Sequence, residues 1–159
     1  MAYQLNFAWL SSYDPGKPSI MVPVTLRLTD YAAALEAKLD TGATECVFAR
    51  QHGESLGLNI ESGERLRINT ATGTFTAFRH EVTMTVLDYA FDVRVCFAED
   101  DQFNRNVLGR HGFLDRMRIG VVDYEGKLYL SMYDDNQSLD SYKQALFYCL
   151  MSARVTLNG

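Results

Sequence analysis

One segment of the chain combines residue types that can carry out acid–base chemistry. Residues 36–48 read EAKLDTGATECVF, in which an apolar strand runs into Asp40-Thr41-Gly42 and a second apolar strand leaves it. A carboxyl group held at a turn can act as a general acid or a general base. The composition makes a chance Asp-Thr-Gly uncommon. The alternative is a simple strand-end turn, in which Gly42 supplies a positive φ angle and Asp40 caps the turn.

The elements around this segment are predicted to be mainly β-strands. Apolar residues alternate with other residues along four stretches: Tyr3–Trp9, Val22–Leu28, Val82–Val86 and Phe91–Phe97. A period of two is typical of a strand with one buried face. Glu125-Gly126 is predicted to join residues 119–123 and 127–132 as a hairpin. Many short strands with tight turns indicate an all-β barrel or sandwich.

Two segments are predicted to be helical, and they help to divide the chain. The first is short, Phe113–Met117, and the second is the tail from Ser138 to about Ala153, whose apolar residues share one helical face. We interpret residues 1–20 as an N-terminal extension, 21–133 as the main domain, and 134–159 as a polar linker with an amphipathic helix. Packing of that helix on its own barrel is the simpler interpretation, and a dimer-stabilising or partner-binding helix is the alternative.

Composition and charge exclude several classes of protein. A hydrophobic content of 47% in 159 residues is that of one folded domain. The net charge of −5 argues against nucleic-acid binding and against binding to anionic membranes. No apolar run is long enough for a membrane helix, and no secretion signal is predicted. Three cysteines without a CxxC pair favour reduced thiols and a cytoplasmic location.

A second motif follows later in the chain, at residues 104–110 (NRNVLGR). An apolar-Asp-Thr-Gly-Ala loop followed by an apolar-apolar-Gly-Arg segment resembles the retropepsin-like aspartic proteases, the family of the retroviral proteases and their stand-alone bacterial relatives. Arg65–Val86, with a turn at Thr70–Thr74, resembles the family's flap, the hairpin that covers the cleft. The resemblance covers roughly Met21–Met132. It implies a closed all-β acid-protease barrel with one short helix after Leu108-Gly109-Arg110.

The resemblance also implies an activity and roles for particular residues. The activity is that of an aspartic endopeptidase, with no metal or organic cofactor. The implied catalytic loop consists of Asp40, Thr41 and Gly42. The implied substrate-binding residues are Ala43 and the flap residues Ala71, Thr72, Gly73 and Thr74. The implied structural supports of the loop are Leu108, Gly109 and Arg110.

The number of motifs bears on the oligomeric state. Only one Asp-Thr-Gly occurs, whereas peptide hydrolysis by a carboxyl dyad needs two such loops. The resemblance therefore implies a symmetric homodimer in which Asp40 of each subunit meets on the axis, with a peptide or protein substrate bound as an added strand. One alternative is a catalytically silent retropepsin-like fold used for dimerisation or peptide binding. Another is a monomeric β-barrel with a chance motif.

The sequence departs from the family's pattern at Thr44. The retroviral enzymes carry an Asp two residues after the motif glycine, and this Asp pairs with the arginine of the Gly-Arg segment. Because Thr44 occupies that position, Arg110 either has another partner, with Glu45 and Asp115 as the candidates, or serves another purpose.

The sequence contains no comparable motif for another catalytic chemistry. The three histidines, His52, His80 and His111, have no HExxH or paired ligand spacing, so we expect no metal site. No GxSxG marks a serine hydrolase. We expect Cys46, six residues after Asp40, to be a buried structural cysteine and not a nucleophile.

Overall fold

The computed structural model describes residues 5–70 and 73–134. The predicted C-terminal helix, and with it Cys149, lies outside the described residues. The described strands are β1 (Trp9–Ser12), β2 (Met21–Leu28), β3 (Tyr31–Leu39), β4 (Val47–Phe48), β5 (Glu64–Thr70), β6 (Gly73–Val86), β7 (Tyr89–Ala98), β8 (Val107–Leu108), β9 (Met117–Val122) and β10 (Lys127–Met132). The helix α1 spans Arg50–Ser55, and single 3₁₀ turns span Ile60–Ser62 and Asp123–Glu125.

The strands of the main sheet close on themselves. Their order is β2-β3-β8-β4-β7-β6-β5, and β2 pairs additionally with β6. The ring therefore runs from β2 through β3, β8, β4 and β7 to β6 and back to β2, while β5 extends from β6 as the outer strand of a hairpin. The pairs β3–β8 and β4–β7 are parallel. This topology confirms the predicted closed all-β barrel.

Alternation along the strands builds the core of the barrel. Val22, Val24 and Leu26 on β2 are buried, and so are Val82, Met84 and Val86 at the end of β6 that pairs with β2. Alternate residues are buried on β7 too, and Cys96 and Ala98, which lie on the opposite face of that strand, are buried as well. They are buried because the outer face of β7 at this end is covered by a second small cluster, which includes Leu66 and Phe75 of the β5–β6 hairpin.

A second sheet of three strands, in the order β1-β10-β9, packs beside the barrel. The predicted hairpin of β9 and β10 is confirmed, with Gly126 in the left-handed region at φ 61°. The N-terminal strand differs from its prediction, because it spans Trp9–Ser12 and the preceding Leu5 is exposed. Among the described residues only β10 pairs with β1, so only the residues opposite β10 are held in a strand, and Tyr3 and Gln4 of the predicted strand lie outside the described residues.

The predicted short helix at Phe113–Met117 is wrong. After Leu108 the chain makes consecutive turns, and the amides of Leu114 and Asp115 donate to carbonyls five residues earlier, on Gly109 and Arg110. Gly112 adopts φ +97° inside this segment, a value that an α-helix does not allow. The short helix of the barrel is instead α1, which follows β4 and which the sequence did not indicate.

Candidate active site

The Asp-Thr-Gly segment is a tight turn at the end of β3. Leu39 is the last strand residue, and the amide of Ala43 donates to the carbonyl oxygen of Asp40 at 3.2 Å. The amide of Gly42 donates to Asp40 Oδ1 at 3.0 Å. The turn therefore fixes the Asp40 carboxylate against its own backbone.

The turn rests on the segment that contains Leu108-Gly109-Arg110. The amide of Asp40 donates to the Leu108 carbonyl at 3.0 Å, and the amide of Arg110 donates to the Ala43 carbonyl at 2.9 Å. Leu39 and Leu108 are paired across β3 and β8. The structure thus brings together the two motifs that lie far apart in the sequence, and it joins them through backbone groups.

Gly109 lies where no side chain fits. A Cβ atom at this position would overlap the carbonyl oxygen of Glu45 and come within 2.9 Å of the carbonyl oxygen of Ala43. The Gly109 amide donates to the Cys46 sulfur at 3.4 Å. This glycine therefore allows the two segments to approach closely.

The Asp40 carboxyl is partly open to solvent and has a charged neighbour. Lys38 Nζ lies 3.2 Å from Asp40 Oδ2, and the Asp40 side chain is 33% exposed. Partial burial acts to raise the pKa of Asp40. The hydrogen bond and positive charge of Lys38, together with the amides of Gly42 and Ala43, outweigh it, so the pKa lies below its usual value. In a single chain the carboxyl is held ionised.

The tip of the turn faces outward. Thr41 and Gly42 are exposed, and the Thr41 hydroxyl has no hydrogen-bond partner in the described part of the chain. Asp40 does not line the groove of about 690 Å³ that lies on one side of the barrel beside Glu45, Arg79 and His111. One chain therefore presents the carboxyl on an open surface and does not enclose it in that groove.

Arg110 forms neither of the two ion pairs considered for it, with Glu45 or with Asp115. Its side chain is exposed and forms no ion pair with any residue that the structure describes, so Glu45 and Asp115 are not its partners. Glu45 instead binds Arg79 Nη2 at 3.1 Å and His111 Nδ1 at 3.3 Å, and Asp115 accepts the Gly112 amide at 3.0 Å. Arg110 thus pairs with neither candidate: Arg79, on β6, binds the carboxylate of Glu45, and the Gly112 amide binds that of Asp115.

Arg79 connects the loop to the hairpin of β5 and β6. Its guanidinium also binds Glu64 of β5 at 3.2 Å. The side chains of Arg79 and Glu45 are only 20% and 13% exposed, so this pair is better shielded from water than a surface ion pair. Sequence analysis missed it because the two residues are 34 positions apart with no motif to link them. Lys38 was also missed, although it lies only two residues before Asp40.

The apolar residues of the β5–β6 hairpin pack against a small cluster on the outer face of the barrel. Phe75 stacks on Phe103 with ring centroids 4.8 Å apart. The hairpin register pairs Thr70 with Gly73, and the predicted substrate-binding residues Gly73 and Thr74 are exposed. Gly73 adopts φ +152°. The other two, Ala71 and Thr72, lie outside the described residues.

The cysteines and the metal-ligating residues suggest no second chemistry. Cys46 and Cys96 are buried and unpaired. Burial raises the pKa of Cys46 to about 12 and that of Cys96 to about 11, so both thiols stay protonated. Within residues 5–70 and 73–134, no three His, Cys, Asp or Glu side chains converge as they would around a metal ion. No helix in these ranges is long and apolar enough to cross a membrane.

The match to a protein family includes both motifs. The chain matches the family model for aspartyl proteases over residues 24–111, which include the Asp40 turn and Leu108-Gly109-Arg110. Among solved structures it is similar to the EIAV protease complexed with the inhibitor HBY-793, at 24% sequence identity. That similarity covers 63% of this chain and 88% of that chain, with a TM-score of 0.49. The chain has no match among the curated proteins.

Proposed function

Because the chain belongs to the aspartyl protease family, we propose that it is an aspartic endopeptidase whose carboxyl dyad consists of Asp40 from two identical subunits. One observation carries the proposal. The Asp40 turn is joined through backbone hydrogen bonds to the Leu108-Gly109-Arg110 segment, and its carboxyl is partly exposed beside the outward-facing Thr41 and Gly42. A turn built in this way can present one carboxyl to the same carboxyl of a second chain.

The reaction uses one ionised and one protonated carboxyl. The carboxylate takes a proton from a bound water, whose oxygen attacks the scissile carbonyl carbon, while the protonated carboxyl donates to the carbonyl oxygen. When the tetrahedral intermediate collapses, the C–N bond breaks, one carboxyl protonates the leaving nitrogen, and the other recovers a proton from the intermediate. The dyad ends with the single proton it began with.

Three features of the single chain support the need for a second copy. Each chain carries only one Asp-Thr-Gly. The Thr41 hydroxyl has no partner among the described residues and is free to bond across to a second loop. In the single chain Lys38 lowers the pKa of Asp40 and so favours its ionised form, whereas the reaction also requires a protonated carboxyl.

The β5–β6 hairpin supports a role as the flap. At its base Arg79 binds Glu45, while near its outer end Phe75 packs on Phe103 and the terminal residues Thr70 and Gly73 are exposed. A hairpin with an exposed end can close over an extended peptide that binds as an added strand. Ala43, Gly73 and Thr74, with Ala71 and Thr72 between the strands, are the proposed substrate contacts.

A catalytically silent module for dimerisation or peptide binding is the second candidate. The Lys38–Asp40 ion pair favours it, because this pair occupies one oxygen of the proposed acid–base group. Incubation with a diverse peptide mixture at mildly acidic pH separates the two functions. Specific cleavage products, identified by mass spectrometry, support the peptidase, and binding without cleavage supports the silent module.

The assembly provides a first expected result. Because one chain cannot hold a dyad, sedimentation or light scattering should show a concentration-dependent dimer, and specific activity should fall on dilution as the dimer dissociates. A protein that is strictly monomeric at assay concentration and still cleaves peptides would contradict the mechanism.

The flap provides a second expected result, through Gly73→Val. The added side chain meets no atom within 4 Å, but the backbone sits at φ +152°, where branched residues are strained. Substitution should lower turnover by about tenfold or more because the hairpin can no longer adopt its closing conformation. The unfolding midpoint should be affected far less than turnover, since the strain is confined to an exposed position at the end of the hairpin. Full activity in Gly73→Val would show that the flap is placed wrongly.

A further inference from the structure

Lys38 and Asp40 form an ion pair where β3 ends. Lys38 lies in the strand, Leu39 is its last residue, and Asp40 is the first residue of the turn that follows. Lys38 Nζ lies 3.2 Å from Asp40 Oδ2, with 46% of the lysine side chain exposed. The ammonium group therefore lies beside the carboxyl oxygen that the proposed function assigns to acid–base chemistry.

The neighbouring strands add no charge to this pair. Met21 on β2 and Val107 on β8 are the residues opposite Lys38. On β3 itself, Glu36 lies on the same face one step further from the turn, and in the described structure it is not paired with Lys38. The flanking strands thus leave Lys38 as the charged neighbour of Asp40 on this face.

The other charged residues in the loops next to Asp40 either bind different partners or form no ion pair with Asp40 in the described part of the chain. Glu45 is bound by Arg79 and His111. Arg105 and Arg110, on either side of β8, are exposed and form no ion pair with Asp40 in the residues that the structure describes. Lys38 is therefore the cation that can act on the protonation of Asp40.

We propose that Lys38 is a positioning residue that sets the pH range of the active site, by keeping the Asp40 carboxyls ionised in more acidic solution than they would otherwise be. The proposal rests on the proposed function of Asp40. In a dimer, each dyad has two such ammonium groups close to it. A nearby positive charge stabilises every ionised state of the dyad, so the proton shared by the two carboxyls is lost at a lower pH.

The direction of the effect on activity follows from the protonation of the dyad, which is active when its two carboxyls share one proton. That state exists between the lower and the upper pKa of the dyad, so activity falls as pH rises through the upper pKa. Lys38 lowers the upper pKa, so the wild-type enzyme should lose activity at a lower pH than an enzyme without this charge. The lowered pKa of Asp40 in the single chain has the same direction and the same cause.

The decisive experiment titrates Asp40 directly, in the full chain, by ¹³C NMR of the aspartate carboxyls. The Asp40 signal is assigned by its absence from Asp40→Asn. Lys38→Met should raise the midpoint of the Asp40 titration by about 0.5 to 1 pH unit. The shift is moderate because the ion pair is partly exposed and screened. Lys38→Arg, which keeps the charge, should titrate close to the wild type.

Lys127→Met is the matched control. Lys127 lies on β10 and pairs with Glu125, a carboxylate two residues away, far along the chain from Asp40. Its substitution should leave the Asp40 titration unchanged. An Asp40 titration that is the same in wild type and Lys38→Met would overturn the proposal.

The pH profile of peptide cleavage gives an independent readout. The alkaline limb should move upward in Lys38→Met by the same amount as the titration, and 1 M salt should reduce the difference from wild type because it screens the exposed ammonium. An inactive wild type in which Lys38→Met still shifts the Asp40 titration would refute the peptidase but retain the Lys38–Asp40 coupling. If the wild type is active, and the Asp40 titration and the pH profile are the same in wild type and Lys38→Met, the coupling alone would be refuted.

Discussion

Asp40→Asn should abolish peptide cleavage and leave the dimer as tight as the wild type, or tighter, at neutral pH. The amide nearly keeps the shape of the carboxyl and can still accept from the Gly42 amide, but it cannot take a proton from water. We expect a loss of at least about a hundredfold in kcat/KM, the lower range for removal of an acid–base group. Mass spectrometry of peptide products measures the loss, and sedimentation measures the dimer.

The pH dependence of the dimer follows from proton counting. Two carboxyls in contact titrate as a coupled pair, with one pKa raised and the other lowered relative to separate chains. Above the ordinary carboxyl value of ~4, the raised member still holds a proton that separate chains have released. Its contribution to dimer stability is therefore present at lower pH and is lost as pH rises through the raised pKa. The wild-type dimer should weaken between mildly acidic and neutral pH, and that of Asp40→Asn should weaken less.

Asp30→Asn is the control for this experiment. Asp30 is exposed in the turn between β2 and β3, so its substitution should change neither cleavage nor the dimer. Equal peptidase activity in Asp40→Asn would end the catalytic role of Asp40. A dimer clearly weaker than wild type at neutral pH would mean that the two Asp40 side chains do not face each other.

Gly109→Ala should destabilise the chain and inactivate the enzyme together. The new methyl group would overlap the carbonyl oxygen of Glu45 and crowd that of Ala43, and both are backbone atoms that cannot rotate away. Separating the segments would weaken the hydrogen bonds of Asp40 to Leu108 and of Arg110 to Ala43. We expect a loss of roughly 2 to 3 kcal/mol in the free energy of unfolding, measured in urea, typical of overpacking against a rigid site.

Gly16→Ala is the matched control for Gly109→Ala. A Cβ atom at Gly16 would approach only the exposed side-chain oxygen of Asp14, at 3.2 Å. The free energy of unfolding should therefore change by less than about 1 kcal/mol. If Gly109→Ala is no less stable than Gly16→Ala, the close approach of the two motif segments is not what holds the Asp40 turn.

The sequence predicted the parts of the fold that local pattern determines. The alternation in β2, β6 and β7 marks buried faces, and the positive φ of Gly126 belongs to a hairpin that its sequence already indicates. Asp40 and the Leu108-Gly109-Arg110 segment could be connected in advance only through the resemblance to a family. Neither segment carries a local signal that it contacts the other.

The parts that were missed depend on tertiary contacts. The helix α1 has only six residues, no side-chain cap, and a glycine, Gly53, that is buried against Ile60 and Phe97. Its stability therefore comes from packing and not from helix propensity. The helix predicted at Phe113–Met117 is replaced by turns whose amides bond to carbonyls five residues earlier, and the preceding Gly112 adopts a positive φ at which its missing side chain leaves room for Val93.

The missed parts of the candidate site also depend on tertiary contacts. The Glu45–Arg79 pair depends on how β6 passes the Asp40 loop, which the barrel determines and the local sequence does not. Thr44 showed that the family's pairing is absent, but it could not show what replaces it. Lys38, by contrast, lies only two residues before Asp40, so its proximity to the carboxyl could have been considered from the sequence.

The measurement that tests the central claim most directly is the activity of mixed dimers. Wild-type and Asp40→Asn chains, carrying different affinity tags, are expressed together so that the subunits assemble at random, and the mixed dimer is isolated by both tags. A dyad shared between chains requires both Asp40 residues, so the mixed dimer should be inactive. At equal expression, the activity per wild-type chain in the unfractionated mixture should fall to about one half. A mixed dimer that keeps half the activity of the wild-type dimer would contradict the shared dyad, because each Asp40 would then be working within its own chain.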